Sequence, residues 1–96
     1  MTDATLARTF AALSDPLRRR VLALVAQRPD ATVTEICDAF PVSRFAVMRH
    51  LNVLEAACMI ERRSEGRERR LRLAETAFEA EVIEWLTAVR KGDPPT

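Results

Sequence analysis

The side chains best suited to chemistry in this sequence lie close together between residues 43 and 54. If this stretch is a helix, Val47, Leu51 and Leu54 share one apolar face, because they recur at the spacing of helical turns. The opposite face then carries cations, an amide and some apolar bulk, from Arg44, Phe45, Met48, Arg49 and Asn52. Guanidinium and amide groups match the hydrogen-bonding edges of base pairs in the DNA major groove. The predicted chemistry is therefore non-covalent recognition of double-stranded DNA.

The segment before this helix favours recognition over the other interpretation, an ordinary surface helix with two arginines. Ser43 is a suitable N-cap, because its hydroxyl can accept from a free backbone N–H of the first turn. Residues 32–35 match a capping box, which predicts a short helix over about residues 33–40. Pro41-Val42 leaves room only for a tight turn. Two helices joined in this way form a helix-turn-helix, whose second helix contacts the bases.

Residues 59–64 and 67–73 predict a β-hairpin directly after the helix-turn-helix, with Glu65-Gly66 as its turn. Leucines and arginines alternate over residues 70–73, as a half-buried strand requires. A hairpin at this position is a wing. Its candidate contacts with the DNA backbone are four arginines, Arg62, Arg63, Arg67 and Arg69. Their strand positions mean that not all four can face the same way.

Three further helices complete the predicted architecture. The first covers residues 3–13, and Asp15-Pro16 start a second over about residues 17–27, followed by a loop over residues 28–31. A second capping box over residues 76–79 opens the last helix. The fold class is mainly α (α+β), a winged helix-turn-helix with an extra helix at each end. We expect one domain over residues 1–91 and a disordered tail over residues 92–96.

The charge distribution agrees with a DNA-binding middle. The net charge is only +1, but residues 43–72 hold eight arginines against four glutamates. Residues 73–89 hold four glutamates and no basic residue. A basic middle beside an acidic end predicts one surface that faces a polyanion and one with another role. Fourteen of the fifteen basic residues are arginine, which favours bidentate contacts with phosphate or guanine.

Several classes of protein are disfavoured. No apolar run approaches membrane-spanning length and the N-terminus has no signal-peptide pattern, so we expect a cytoplasmic protein. Cys37 and Cys58 are the only cysteines and His50 the only histidine, which is neither a disulfide framework nor a zinc-finger pattern. The sequence also has no glycine-rich phosphate loop and no convincing carboxylate pair. We therefore expect no enzyme activity and no cofactor.

Three stretches together resemble the ArsR-type bacterial repressors, namely residues 10–22, residues 42–55 and Glu65-Gly66-Arg67. The resemblance covers nearly the whole chain and is strongest to the subgroup without an obvious metal site. It implies a homodimeric transcriptional regulator whose 43–54 helix enters the major groove of a palindromic operator. It implies that His50 is a packed structural residue. It also implies a dimer interface built by the terminal helices, whose apolar residues are Leu6, Phe10, Phe78, Val82, Trp85, Leu86 and Val89.

Some positions depart from the family pattern. Pro41 and Cys58 stand where the family often has glycine, and Met48 where it often has a small polar residue. If Cys58 ends the 43–54 helix with a positive φ, it carries strain that glycine would avoid. Thr32 and Thr34 correspond to the thiolate pair of metal-responsive relatives, so we expect no metal site. A redox role for Cys37 and Cys58 is not favoured, since nothing in the sequence brings their sulfurs together.

Two functions from different classes fit these patterns. The first is a sequence-specific DNA-binding repressor, and the second is a winged-helix protein-interaction module that never touches DNA. An interaction module would expose mainly apolar or acidic residues on the 43–54 helix. Arg44 and Arg49 beside the arginines of the wing favour DNA instead. The operator, the target genes, the inducer and the choice between repression and activation do not follow from the sequence.

Overall fold

The structure is a computed structural model that describes residues 3–93. Its elements follow the predicted order, with one additional short strand before the third helix. They are α1 (Asp3–Leu13), α2 (Pro16–Gln27), β1 (Ala31–Thr32), α3 (Val33–Asp38), α4 (Arg44–Ala56), β2 (Ile60–Glu65), β3 (Glu68–Leu73) and α5 (Phe78–Arg90). The strands form an antiparallel sheet in the order β1-β3-β2. The predicted winged helix-turn-helix is confirmed, with β2 and β3 as the wing. Residues 1–2 and the 94–96 part of the predicted tail lie outside the described residues.

Three helices begin at the N-caps that the sequence predicts. Asp15, Thr32 and Ser43 each accept a hydrogen bond from the backbone N–H three residues later, at 3.0, 3.1 and 3.1 Å. These bonds satisfy backbone N–H groups that have no partner within the helix. The start of α4 is therefore fixed by local chemistry, and with it the direction in which its side chains project.

The structure corrects the predicted boundaries at both ends of the segment that contains α3. Residue 31 is not in a loop, because Ala31 and Thr32 pair with Leu71 and Arg70 of β3; a strand of two residues has no periodicity to detect. Helix α3 ends at Asp38 instead of near residue 40. There the Ala39 N–H bonds the carbonyls of the last turn.

The capping box at the start of α5 does not form. The Phe78 N–H donates to the Thr76 carbonyl at 2.9 Å, and this tight turn moves the start of the helix one residue along the chain. Ala77 then occupies the N-cap, and it has no side-chain acceptor. The first turn of α5 keeps Glu79 and Glu81, whose charges favour the positive end of the helix dipole.

The core lies where α2, α3 and α4 meet the inner face of the sheet. Its largest fully buried side chains are Ile36, Leu51, Leu54, Met59, Ile60, Leu71, Val21, Val25 and Val47. All three residues of the predicted apolar face of α4 are among them. Full burial of each such side chain contributes about 1.5–3 kcal/mol. The buried face of α4 therefore determines which of its faces remains available to a partner.

Helices α4 and α5 end in the same hydrogen-bonding pattern, a Schellman motif. At the end of α4, the Met59 N–H bonds the Leu54 carbonyl at 3.0 Å and the Cys58 N–H bonds the Glu55 carbonyl at 2.9 Å. Cys58 has a φ of 60°, so the condition under which it carries strain that glycine would avoid is met. The corresponding residue after α5 is Gly92, with a φ of 77°.

Candidate nucleic-acid interface

The outer face of α4 carries all five side chains that the sequence places opposite its apolar face. Arg44, Phe45, Arg49 and Asn52 are exposed, and Met48 is half-buried. Phe45 is 85% exposed, which is unusual for a residue with a large apolar side chain. Hydrogen-bond donors and apolar side chains therefore lie side by side on the outer face of a helix whose opposite face is buried in the core.

Side chains at the start of α4 also contact α3. The Arg44 Nη1 donates to the Thr34 hydroxyl at 3.3 Å. Beside this contact, a groove of about 500 Å³ separates α3 and α4 from the tip of the wing. Its basic lining comes from Arg44, Arg67 and Arg69, and Glu35 and Glu68 also line it. The groove brings the start of α4 and the wing to one side of the molecule.

The register of the wing divides its arginines between two faces. Arg62 pairs with Leu71, which is fully buried, so Arg62 points toward α4. Arg63 pairs with Arg70 on the outer face of the hairpin. Arg69 shares the face of Arg62, and Arg67 lies in the turn. As expected, the four arginines therefore do not all face the same way.

Arg62 joins the wing to α4. Its Nη2 donates to Asn52 Oδ1 at 2.5 Å, and its Nε lies 3.4 Å from Glu55 Oε1. The Arg62 side chain is only 13% exposed. Two residues predicted to contact DNA thus contact each other, a pairing between elements that the sequence did not indicate.

Asp30 anchors the other side of the wing, which the sequence analysis missed. Its Oδ1 accepts from Arg72 Nη2 at 2.7 Å and from Arg72 Nε at 3.2 Å. Its backbone carbonyl accepts from Arg70 Nη1 at 2.9 Å. The hydrogen bond from Arg72, more than any other contact, holds the pKa of Asp30 below its usual value. Asp30 reaches this position with a φ of 66°, a conformation that aspartate tolerates better than most residues.

His50 lies on the inner side of α4, between α4 and the first two helices. Its Nδ1 accepts from Arg18 Nε at 3.3 Å, and its Nε2 is 4.0 Å from Asp15 Oδ1. The Arg18 Nη1 also donates to the carbonyls of Ala11 and Ala12 at the end of α1. This placement suits the structural role that the resemblance implies for His50.

The terminal helices pack against each other and leave an apolar surface exposed. The rings of Phe10 and Trp85 meet edge to face, with centroids 5.9 Å apart. Ile83, Leu86 and Val89 are 60%, 52% and 48% exposed, and Phe10 is also exposed. The remaining predicted interface residues are half-buried: Leu6, Phe78, Val82 and Trp85. The prediction omitted Ile83, although its spacing of three residues from Leu86 is a helical signal.

Within residues 3–93, no helix is long and apolar enough to cross a membrane. The same residues contain no group of three His, Cys, Asp or Glu side chains that could hold a metal ion. Cys37 is buried in α3, where burial raises the pKa of its thiol, and Cys58 is exposed. Among residues 3–93, the candidate functional site is therefore the arginine-rich side formed by α4 and the wing.

Comparison with known proteins identifies relatives that contain a helix-turn-helix or regulate transcription. The helix-turn-helix domain family matches residues 13–63. The transcriptional repressor SdpR of Bacillus subtilis (strain 168) is 32% identical over 84 residues, which cover 88% of this chain and 92% of SdpR. The crystal structure of an ArsR family transcriptional regulator is 31% identical and aligns over 95% of this chain and 92% of that one, with a TM-score of 0.82.

A homodimeric winged helix-turn-helix DNA-binding domain from Mycobacterium bovis, solved by NMR, shares the fold at 24% identity. The alignment covers 95% of this chain and 88% of that domain, with a TM-score of 0.71. The matched domain family, SdpR and the crystal structure all point to a transcriptional regulator with a helix-turn-helix, and the crystal structure shares the fold over nearly the whole chain. The chain therefore belongs to the ArsR family of winged helix-turn-helix transcriptional regulators.

Proposed function

We propose that this protein is a repressor that binds a palindromic operator as a homodimer. The observation that carries the proposal is the division of α4. Val47, Leu51 and Leu54 are fully buried, whereas the opposite face presents Arg44 and Arg49 to solvent. A helix held in this way can enter the major groove without unfolding any of the core. That SdpR is a transcriptional repressor supports repression as the direction of control.

Base contacts are assigned to the outer face of α4. Arg44 and Arg49 suit guanine, whose O6 and N7 accept a bidentate pair of hydrogen bonds. Phe45 and Met48 offer apolar contact to a thymine methyl group, and Asn52 offers an amide. Ser43 lies at the N-terminus of the helix, where free backbone N–H groups favour a phosphate.

Backbone contacts are assigned to the wing. Arg63, Arg67 and Arg69 are exposed near its tip and suit phosphates on either side of the groove. Arg62 belongs to the same basic surface, but its guanidinium already contacts Asn52 and Glu55. Arg62 therefore contributes to DNA binding mainly by contacting side chains of α4, and less by contacting a phosphate.

The terminal helices are assigned to the dimer. An apolar surface that includes Phe10, Ile83, Leu86 and Val89 is what a second copy of the chain would cover. The Mycobacterium bovis domain of the same fold is homodimeric, which supports this arrangement. A twofold dimer would place two copies of α4 in successive major grooves, with half-sites centred about 34 Å apart.

Selection of bound sequences from random duplexes tests the proposal. We expect the selected sequences to share two inverted half-sites whose centres are about one helical turn apart. The control is a scrambled duplex of the same composition, measured at the same salt concentration. If no sequence is enriched, the protein-interaction module becomes the better description.

A further inference from the structure

We propose that Arg62 makes Asn52 a donor-only reading group, so that α4 favours guanine over adenine at the base pair Asn52 faces. The inference rests on the proposed DNA-binding function and adds a specificity-determining residue to it. Asn52 lies three residues after Arg49 and seven after Phe45, on the outer stripe of α4. It is exposed, so its amide is available to a base edge.

The orientation of the Asn52 amide follows from the chemistry of its partner. An asparagine amide has a carbonyl oxygen that accepts and an NH2 group that donates, whereas a guanidinium can only donate. The amide atom 2.5 Å from Arg62 Nη2 must therefore be Oδ1. The donor atom, Nδ2, then occupies the other branch of the amide, away from the guanidinium.

The guanidinium itself is held in place. Arg62 lies in β2, paired with the buried Leu71, and its side chain is mostly covered. Glu55 approaches its Nε, and Glu55 lies one turn after Asn52 on the same helix. Both ends of the contact are thus fixed by secondary structure, and the cation remains beside Oδ1 while Nδ2 is free to bind.

This arrangement disfavours adenine. An asparagine reads adenine by accepting from N6 through Oδ1 while it donates to N7 through Nδ2. Here the amino group of adenine would have to share Oδ1 with the guanidinium of Arg62. Both groups only donate, so they would compete for the same acceptor. Guanine presents two acceptors, O6 and N7, which suit Nδ2 and the neighbouring N–H groups of Arg62. Asn52 and Arg62 together therefore present donors only.

The test measures the affinity of the full-length protein for its selected duplex and for duplexes with every single base-pair change. Asn52→Ala identifies the base pair that depends on Asn52, and there the wild type should bind guanine about tenfold more tightly than adenine. Arg62→Met keeps most of the apolar stem and removes the donors. It should move the preference at that base pair toward adenine and leave preferences elsewhere unchanged.

A second variant covers the case in which Arg62→Met does not fold. Asn52→Asp keeps the shape of the side chain and its contact with Arg62, but it replaces the donor with an acceptor. It should lose the guanine preference and gain cytosine, whose N4 amino group donates. Arg63→Met is the matched control, because Arg63 is the next residue on the outer face of the wing. It should weaken binding to all duplexes about equally, as the loss of a phosphate contact does, and change no base preference.

The outcomes separate the inference from the proposed function. The inference is overturned if a selected operator is bound but the Asn52-dependent base pair prefers adenine. It is equally overturned if no base pair depends on Asn52, or if Arg62→Met weakens all duplexes uniformly, as a phosphate contact would. If no duplex is selected at all, the DNA-binding function has failed and the inference fails with it.

Discussion

At the scale of single residues, Arg49 and Arg67 should separate sequence recognition from general affinity for DNA. Arg49→Ala should weaken operator binding by about 1–3 kcal/mol and relax the preference at one base pair, because it removes a bidentate contact with a base. Arg67→Ala should weaken binding to operator and scrambled duplex about equally and make the salt dependence shallower. Affinities for both duplexes at several salt concentrations distinguish the two effects.

Arg28→Ala is the control for this pair, since Arg28 is exposed at the end of α2. It should leave the preference for the operator unchanged. An Arg49→Ala variant that binds both duplexes as the wild type does would show that the outer face of α4 has been assigned wrongly.

Cys58 gives a second residue-scale prediction, about stability. A residue with a Cβ in the left-handed conformation is strained by roughly 1–2 kcal/mol, and glycine in the same place is not. Cys58→Gly should therefore raise the free energy of unfolding by about 1 kcal/mol, as measured by urea denaturation. Ala57→Gly is the matched control, because Ala57 has an ordinary φ of −84° and should lose stability. No gain from Cys58→Gly would mean that the turn carries no strain.

At the scale of elements, Asp30 stabilises the position of β3 through its hydrogen bonds with Arg70 and Arg72. Its pKa is lowered in the folded protein, so its stabilisation is present above the ordinary value of 3.8 and is lost as the pH falls through the lower, folded value. Asp30→Asn should therefore destabilise the protein at pH 7 and cause a smaller loss near pH 3. Asparagine also tolerates a positive φ, so this change mainly removes the charge.

Urea denaturation of both proteins at pH 7 and near pH 3 measures this difference. Arg72→Met should remove most of the pH dependence of the effect of Asp30→Asn on unfolding, since the hydrogen bond from Arg72 is the largest cause of the lowered pKa of Asp30. If the loss in the free energy of unfolding caused by Asp30→Asn is the same at pH 7 and near pH 3, the charge of Asp30 does not provide the stabilisation.

Elements with local determinants were the ones that could be predicted from the sequence. The start of α4 depends on Ser43 and a backbone N–H three residues away, and its buried face depends on the spacing of its own leucines and valine. A positive φ at Cys58 could be considered from the sequence for the same reason, since a helix end is a local feature. Where two local patterns competed, as at Thr76, a tight turn prevented the capping box.

What the sequence did not reveal depends on contacts between distant residues. Asp30 meets Arg72 across 42 positions, and β1 exists only because β3 lies beside it. Arg62 and Asn52 belong to different elements whose relative placement no periodicity encodes. These are also the contacts that orient the candidate DNA-binding side chains, so the residue types at the site could be predicted and their pairing could not.

At the scale of the whole molecule, the exposed apolar surface of the terminal helices should be a dimer interface. The double substitution of Val82→Glu and Val89→Glu should give monomers, because burying two carboxylates against apolar side chains is costly. These monomers should no longer bind a duplex with two half-sites. Sedimentation measures the oligomeric state, and an unchanged helical circular dichroism spectrum shows that the monomer remains folded. A wild-type chain that sediments as a monomer at micromolar concentration would contradict the interface.

Arg18 has a further consequence for such a dimer, because its guanidinium bonds both the carbonyls that end α1 and the imidazole of His50 in α4. A helix assigned to the subunit interface and a helix assigned to the DNA are thus joined by one side chain. If the position of α1 biases that of α4, the two equilibria share a coupling free energy, and thermodynamic linkage makes that coupling reciprocal. Operator DNA should then tighten the dimer by the same factor by which dimer formation tightens binding to the operator, and the Arg18→Ala variant should reduce both factors equally.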